Sequence, residues 1–130
     1  MTITIEGHDK FQARLQSLMN SEASIERAGV RAGCVVMANA CRAAVPGTIK
    51  QEIGFHTTRE GKRTVGRAGL MRFPRRGDGQ DGPHGLYVDK GTRYIAPRHW
   101  IRTALQASRG AAKAAMARAI KRRIRAFASK

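Results

Sequence analysis

Four histidines (His8, His56, His84, His99) and two cysteines (Cys34, Cys41) are the side chains of this 130-residue sequence best suited to metal ligation or nucleophilic chemistry. Their spacing supports neither. Zinc sites draw their ligands from closely spaced pairs, whereas these cysteines lie seven residues apart and the histidines are scattered. On a helix that spacing separates the thiols by about 10 Å along the axis, too far for a disulfide. Both are therefore expected as reduced, buried thiols. His99 stands beside Trp100 at the start of a helix-forming stretch, where a structural imidazole is expected rather than a catalytic base. Residues 66–85 hold six glycines, yet no Gly-Lys-Ser/Thr follows to complete a phosphate cradle. A nucleophile elbow and a dinucleotide fingerprint are also missing. The sequence thus predicts no catalytic residue, no metal and no cofactor, and the chain reads as a non-enzyme.

A different chemistry is concentrated in the basic side chains. Twenty-five Lys/Arg against nine Asp/Glu give a formal net charge of +16. Such a charge favours acidic partners and opposes self-association. It is lopsided, because residues 1–58 carry six cations and five anions while residues 59–130 carry nineteen and four. One cluster comprises Arg63, Arg67, Arg72, Arg75 and Arg76. The other is the terminal run Arg118, Lys121, Arg122, Arg123, Arg125 and Lys130. The terminal run has a local explanation, since cations in the last turn of a helix complement its dipole. The first cluster, set among glycines, reads equally well as a contact surface. Base-specific recognition is not expected. Residues 9–44 are nearly neutral, their second helix carries Arg27, Arg31 and Arg42 against Glu22 and Glu26, and no zinc-finger or aromatic RNA-binding pattern occurs.

The elements that must carry these residues follow from periodicity. A chain of this length makes one domain, residues 1–130. Ile3 and Ile5 alternate in a short strand over residues 2–6. Phe11, Leu15 and Leu18 predict a short helix from Asp9 to Met19, and Asn20-Ser21 is read as a break that caps the next helix. That helix, Glu22 to Ala44, has two adjacent apolar stripes, with Gly29, Gly33 and many alanines permitting close approach of another backbone. Val45-Pro46-Gly47 ends it. From Thr48 the alternation of Ile49, Gln51, Ile53 and Phe55 predicts a strand, with a hairpin tip at Arg59–Lys62 and a return to Val65. Residues 66–85 are read as a long flexible loop, followed by a strand from Leu86 to Asp89 and a Gly91-Thr92 turn. Pro97 suits the first turn of a last helix. Ile101, Leu105, Ser108, Ala112, Met116, Ile120, Ile124 and Phe127 form its apolar stripe, and Gly110 is read as the place of a bend. The fold class is α+β: a small antiparallel sheet packed on two long helices, with a short N-terminal strand and helix and a long basic loop. No run approaches the roughly 18 apolar residues of a membrane span. The start, MTITIEGHDK, lacks a secretory pattern, so a cytoplasmic location is expected.

Three short motifs stand in order along the chain: Ala44, Pro46, Gly47, Thr48, Ile49 and Ile53; then Tyr87, Val88, Gly91 and Thr92; then Pro97, Trp100, Ile101, Arg102, Ala104 and Leu105. Together they resemble the tail-component family of lambdoid tailed phages, which groups tail-completion, minor tail and head–tail joining proteins. The resemblance covers most of residues 22–125. The chain departs from it in having no acidic residue before Gly47, in Asp89-Lys90 before the second Gly-Thr, and in its expanded basic loop. What the resemblance implies is a structural protein of a phage or prophage. It would be a ring homo-oligomer in the virion that contacts other tail or head-connector proteins, with at most non-specific contact to DNA. The +16 charge adds the expectation of a monomer in isolation. Trp100 and Ile101 are expected to build the core. The loop is expected to be disordered in the free subunit and to meet the partner through Arg67, Arg72, Arg75 and Arg76, with Phe73 as an apolar anchor. The alternative is a small basic phage DNA-binding protein.

Overall fold

The computed structural model describes residues 7–45, 47–70, 89–91, 93–94 and 96–129. In chain order these form a 37-residue helix α1 (His8–Ala44), a 3-10 helix (Gly47–Glu52), strands β1 (Ile53–Glu60) and β2 (Arg63–Leu70), and a 29-residue helix α2 (Trp100–Ala128). The architecture is α+β, as expected, with two antiparallel strands among the described residues. The strands expected at residues 2–6 and 86–88 lie outside those residues, as do residues 71–85 of the expected loop.

The first correction concerns α1, which runs through Asn20-Ser21 without a break. Both side chains spend their polarity along the helix instead of capping a new one. Ser21 Oγ donates to the Leu18 carbonyl at 2.8 Å, and Gln16 Nε2 donates to Asn20 Oδ1 at 3.3 Å. Such residues lower helix propensity by only a few tenths of a kcal/mol and do not stop a helix supported on both sides.

α2 runs back along α1. Gly29 faces Ile120 and Gly33 faces Met116, each so close that an added Cβ would stand 2.7 Å from the opposing side chain. Small residues thus bring the two axes together, as the sequence predicts. Ser108 and Ala112 of the expected α2 stripe are buried, whereas Ile124 is exposed. α2 passes through Gly110 as one continuous helix.

The connection after α1 brings a second correction. Residues 47–52 form a 3-10 turn, not the start of a strand, and β1 begins at Ile53. A tight i→i+3 turn reverses the chain at the end of α1, and only from Ile53 onward does alternation place Ile53 and Phe55 inward. The hairpin is as expected at its tip, where Gly61 takes φ 62 in a two-residue loop. Its return strand is longer than expected, because β2 continues to Leu70 and residues 66–70, read as loop, are paired. Gly66 marks a close approach, since a Cβ there would collide with Cys34 Sγ and Val30 Cγ1 of α1.

Polar contacts seat the hairpin on α1. Thr64 N–H donates to Glu26 Oε1 at 2.7 Å, Arg59 lies 3.9 Å from the same carboxylate, and Arg42 donates to the Ile53 carbonyl at 3.0 Å. The Arg31 guanidinium sits 6.0 Å from the Phe55 ring centroid, a cation–π distance.

Candidate functional site

The core lies at one end of the helix pair. Ala38, Cys41 and Val45 from the end of α1 meet Ile53 from β1 and Trp100 and Ala104 from the start of α2, with Ile49, Phe55, Ala68, Leu70, Ile101 and Leu105 packed around them. The first and last motif segments, far apart in sequence, therefore converge: Ile49 and Ile53 touch the same cluster as Trp100, Ile101, Ala104 and Leu105. Trp100 and Ile101 build the core, as expected. Gly47 and Thr48 belong to the 3-10 turn, and Gly91 adopts φ 76, in the left-handed region that favours glycine. Pro46, Val88 and Thr92 lie outside the described residues.

Pro97 is exposed and precedes the helix instead of opening it, because α2 starts at Trp100. The physical reason is Asp89, which also corrects the strand expected to end there: Asp89 and Lys90 adopt a helical turn. The Asp89 carbonyl accepts the His99 N–H at 3.0 Å, and its buried carboxylate Oδ1 accepts the Ile101 N–H at 3.0 Å. His99, the N-cap, has φ 47 and no capping side-chain bond, and the first turn of α2 contains no acid. Asp89 thus supplies from ten residues upstream the acceptor and negative charge that a helix start needs. Sequence reasoning missed it. The available signal was a helix start lacking its own cap with an Asp just before the Gly-Thr turn. Asp89→Ala is expected to lower stability by about 1–2 kcal/mol, with Asp89→Asn retaining much of the bond. Urea denaturation of both variants checks this, and equal losses would show that the carboxylate oxygen is not the determinant.

Both cysteines are free and buried, and burial pushes both thiols up from their ordinary value of 9.0. At Cys41 the nearby Asp89 charge adds to this and Arg42 opposes it. A raised folded-state value stabilises the protein below the unfolded value, and the stabilisation is lost as pH climbs from there through the folded value. Stability is therefore expected to fall above about pH 9, and a thiol reagent at pH 8 should label both cysteines only on unfolding. Prompt labelling of the native protein, or an equally steep fall through that range in the Cys34→Ser, Cys41→Ser variant, would contradict it.

The expected contact loop is only partly in view. Arg67 is a strand residue, not a loop residue, and it pairs with Glu60 at 3.2 Å on the exposed face of the hairpin. Arg72, Phe73, Arg75 and Arg76 lie outside the described residues. The terminal cations also need a new reading. Only Arg125 lies in the last turn of α2, so the helix dipole does not account for the exposed Arg118, Lys121, Arg122 and Arg123 upstream. Among the described residues no cluster of three or more His, Cys, Asp or Glu could hold a metal, and no helix is long and apolar enough to cross a membrane.

The chain matches no protein family, no curated protein and no solved structure with which it was compared. What the site offers is therefore read from its own surfaces. These are a hairpin whose two strands pair with no third strand among the described residues, a basic stretch of α2, and a junction where Asp89 fixes the start of α2.

Proposed function

We propose that this chain is a structural morphogenesis protein of a tailed phage or prophage, not an enzyme. It serves as a ring subunit at the tail, in a tail-completion or head–tail joining step, made in the bacterial host cytoplasm and carried in the virion tail. One observation carries the reading: Ile49 and Ile53 share a single core cluster with Trp100, Ile101, Ala104 and Leu105. Motif segments that fold into one unit support a common origin better than scattered matches would. Among the described residues neither β1 nor β2 pairs with a third strand, which fits ring formation, because an unpaired edge is a template for a neighbour's strand.

A second reading, a small basic DNA-binding protein, is favoured by the exposed cations upstream of the last turn of α2. The two separate by fluorescence anisotropy on two unrelated duplexes at two salt concentrations. The assembly reading expects weak, sequence-blind binding. Sub-micromolar, sequence-selective binding at physiological salt would favour the second reading. The net charge of +16 further predicts a monomer at about 50 mM salt, with association appearing only as screening rises towards about 500 mM. Sedimentation velocity checks this, and a stable hexamer at low salt and low concentration would contradict it.

A further inference from the structure

Among the described residues the end of the helix pair opposite the core is open, and it is apolar. Phe11, Leu15 and Leu18 of α1 lie at spacings of four and three along one helical face. With Ile124 and Phe127 of α2, and Arg14 at the rim, they line a groove of about 750 Å³. Phe11 is 63% exposed, Leu15 46% and Ile124 45%. Every residue of α1 from His8 to Asn20 is exposed, so burial does not explain why this face is apolar.

We propose that this groove is a docking site for an acidic amphipathic helix of a partner protein. The shape argues for a helix. Two antiparallel helices leave a seam between them, and a third helix fills such a seam with residues at spacings of three and four. A lipid surface, by contrast, takes a convex or flat apolar face. The charge argues for acidity. Residues 8–20 and 118–128 carry seven Lys or Arg against the single Asp9. Lys121 and Arg123 stand three and four residues before Ile124 and Phe127, flanking the apolar strip on α2, and Arg14 flanks it on α1. The same charge disfavours a second copy of this chain, which would bring two strongly basic ends together. The inference rests on the groove alone and stands whether or not the protein belongs to a phage tail.

The test uses the full chain and a fluorescent synthetic peptide of about 20 residues, with Leu at alternating spacings of three and four and Glu or Ala elsewhere. A scrambled peptide of the same composition is the control. Micromolar binding of the amphipathic peptide is expected, with at least a tenfold preference over the scramble. Leu15→Asp should weaken it about tenfold or more, at a half-exposed site where circular dichroism checks that the fold is kept. The double variant Lys121→Glu, Arg123→Glu should weaken it severalfold and recover binding when Lys replaces Glu in the peptide. Several outcomes would overturn the proposal. They are no binding, equal binding of the scramble, indifference to Leu15→Asp, tighter binding to vesicles of about 30% phosphatidylserine than to the peptide, and self-association that Leu15→Asp abolishes.

Discussion

Trp100→Ala is expected to lower the unfolding free energy by about 3–5 kcal/mol, the range for truncating a large aromatic side chain in a core. Trp100 is 9% exposed and is the largest member of a cluster otherwise made of alanines, Cys41, Val45 and Ile53. How far Phe55, Leu70, Ile101 and Leu105, packed around the cluster, relax into the cavity sets where in this range the loss falls. Trp100→Phe separates packing from polarity. The indole Nε1 is buried with no hydrogen-bond partner among the described residues, and such a group costs about 1–3 kcal/mol. Removing it offsets part of the lost volume, so Phe should cost far less than Ala. Chemical denaturation measures both. A Trp100→Ala variant within about 1 kcal/mol of the parent would mean that this residue does not organise the core.

Gly66→Val should cost about 2–3 kcal/mol, by overpacking instead of a cavity. A Cβ at Gly66 collides with Cys34 Sγ and with Val30 Cγ1. Val30 is β-branched on a helix, and its χ1 has one strongly preferred rotamer there. Val30 cannot readily turn away, so the hairpin must lift from α1 and strain the Thr64–Glu26 hydrogen bond. Gly110→Ala is the counter-case. Nothing lies within 4 Å of a Cβ at that position, so Ala should raise stability by up to about 1 kcal/mol through helix propensity. The same residue type thus predicts opposite signs at two positions. A Gly66→Val variant as stable as the parent would mean that the close seating of β2 on α1 is wrong.

The long helices are legible in the sequence because their apolar stripes recur over many turns, and Gly29 and Gly33 announce a close crossing. The boundaries are less so, and each departure has a local cause. Asn20-Ser21 reads as a cap, but the side chains bond within the helix and α1 runs on. Gly66 and Gly69 read as loop residues, yet they belong to a strand that must pass close to α1. Glycine signals a conformational need without saying whether that need is freedom or proximity. Pro97 reads as a helix start, but the start is set by Asp89, whose hydrogen bonds reach ten and twelve residues along the chain. Nothing in local pattern announces a partner so far away. Of the residues singled out for function, Ile49, Ile53, Trp100, Ile101, Ala104 and Leu105 are found in one cluster, while Arg67 is held by Glu60 in the hairpin. The groove at the far end is written in Phe11, Leu15 and Leu18, whose periodicity predicts a helix but not that this face stays exposed among the described residues.

The claim that the chain is a tail assembly protein is tested most directly by purifying phage particles from an induced host that carries it and measuring its abundance by quantitative mass spectrometry. The account predicts the chain in intact virions at a low, fixed number of copies per particle, and tailless or unjoined heads when it is deleted. Particles that lack the chain, and that remain tailed and infectious after its deletion, would contradict it.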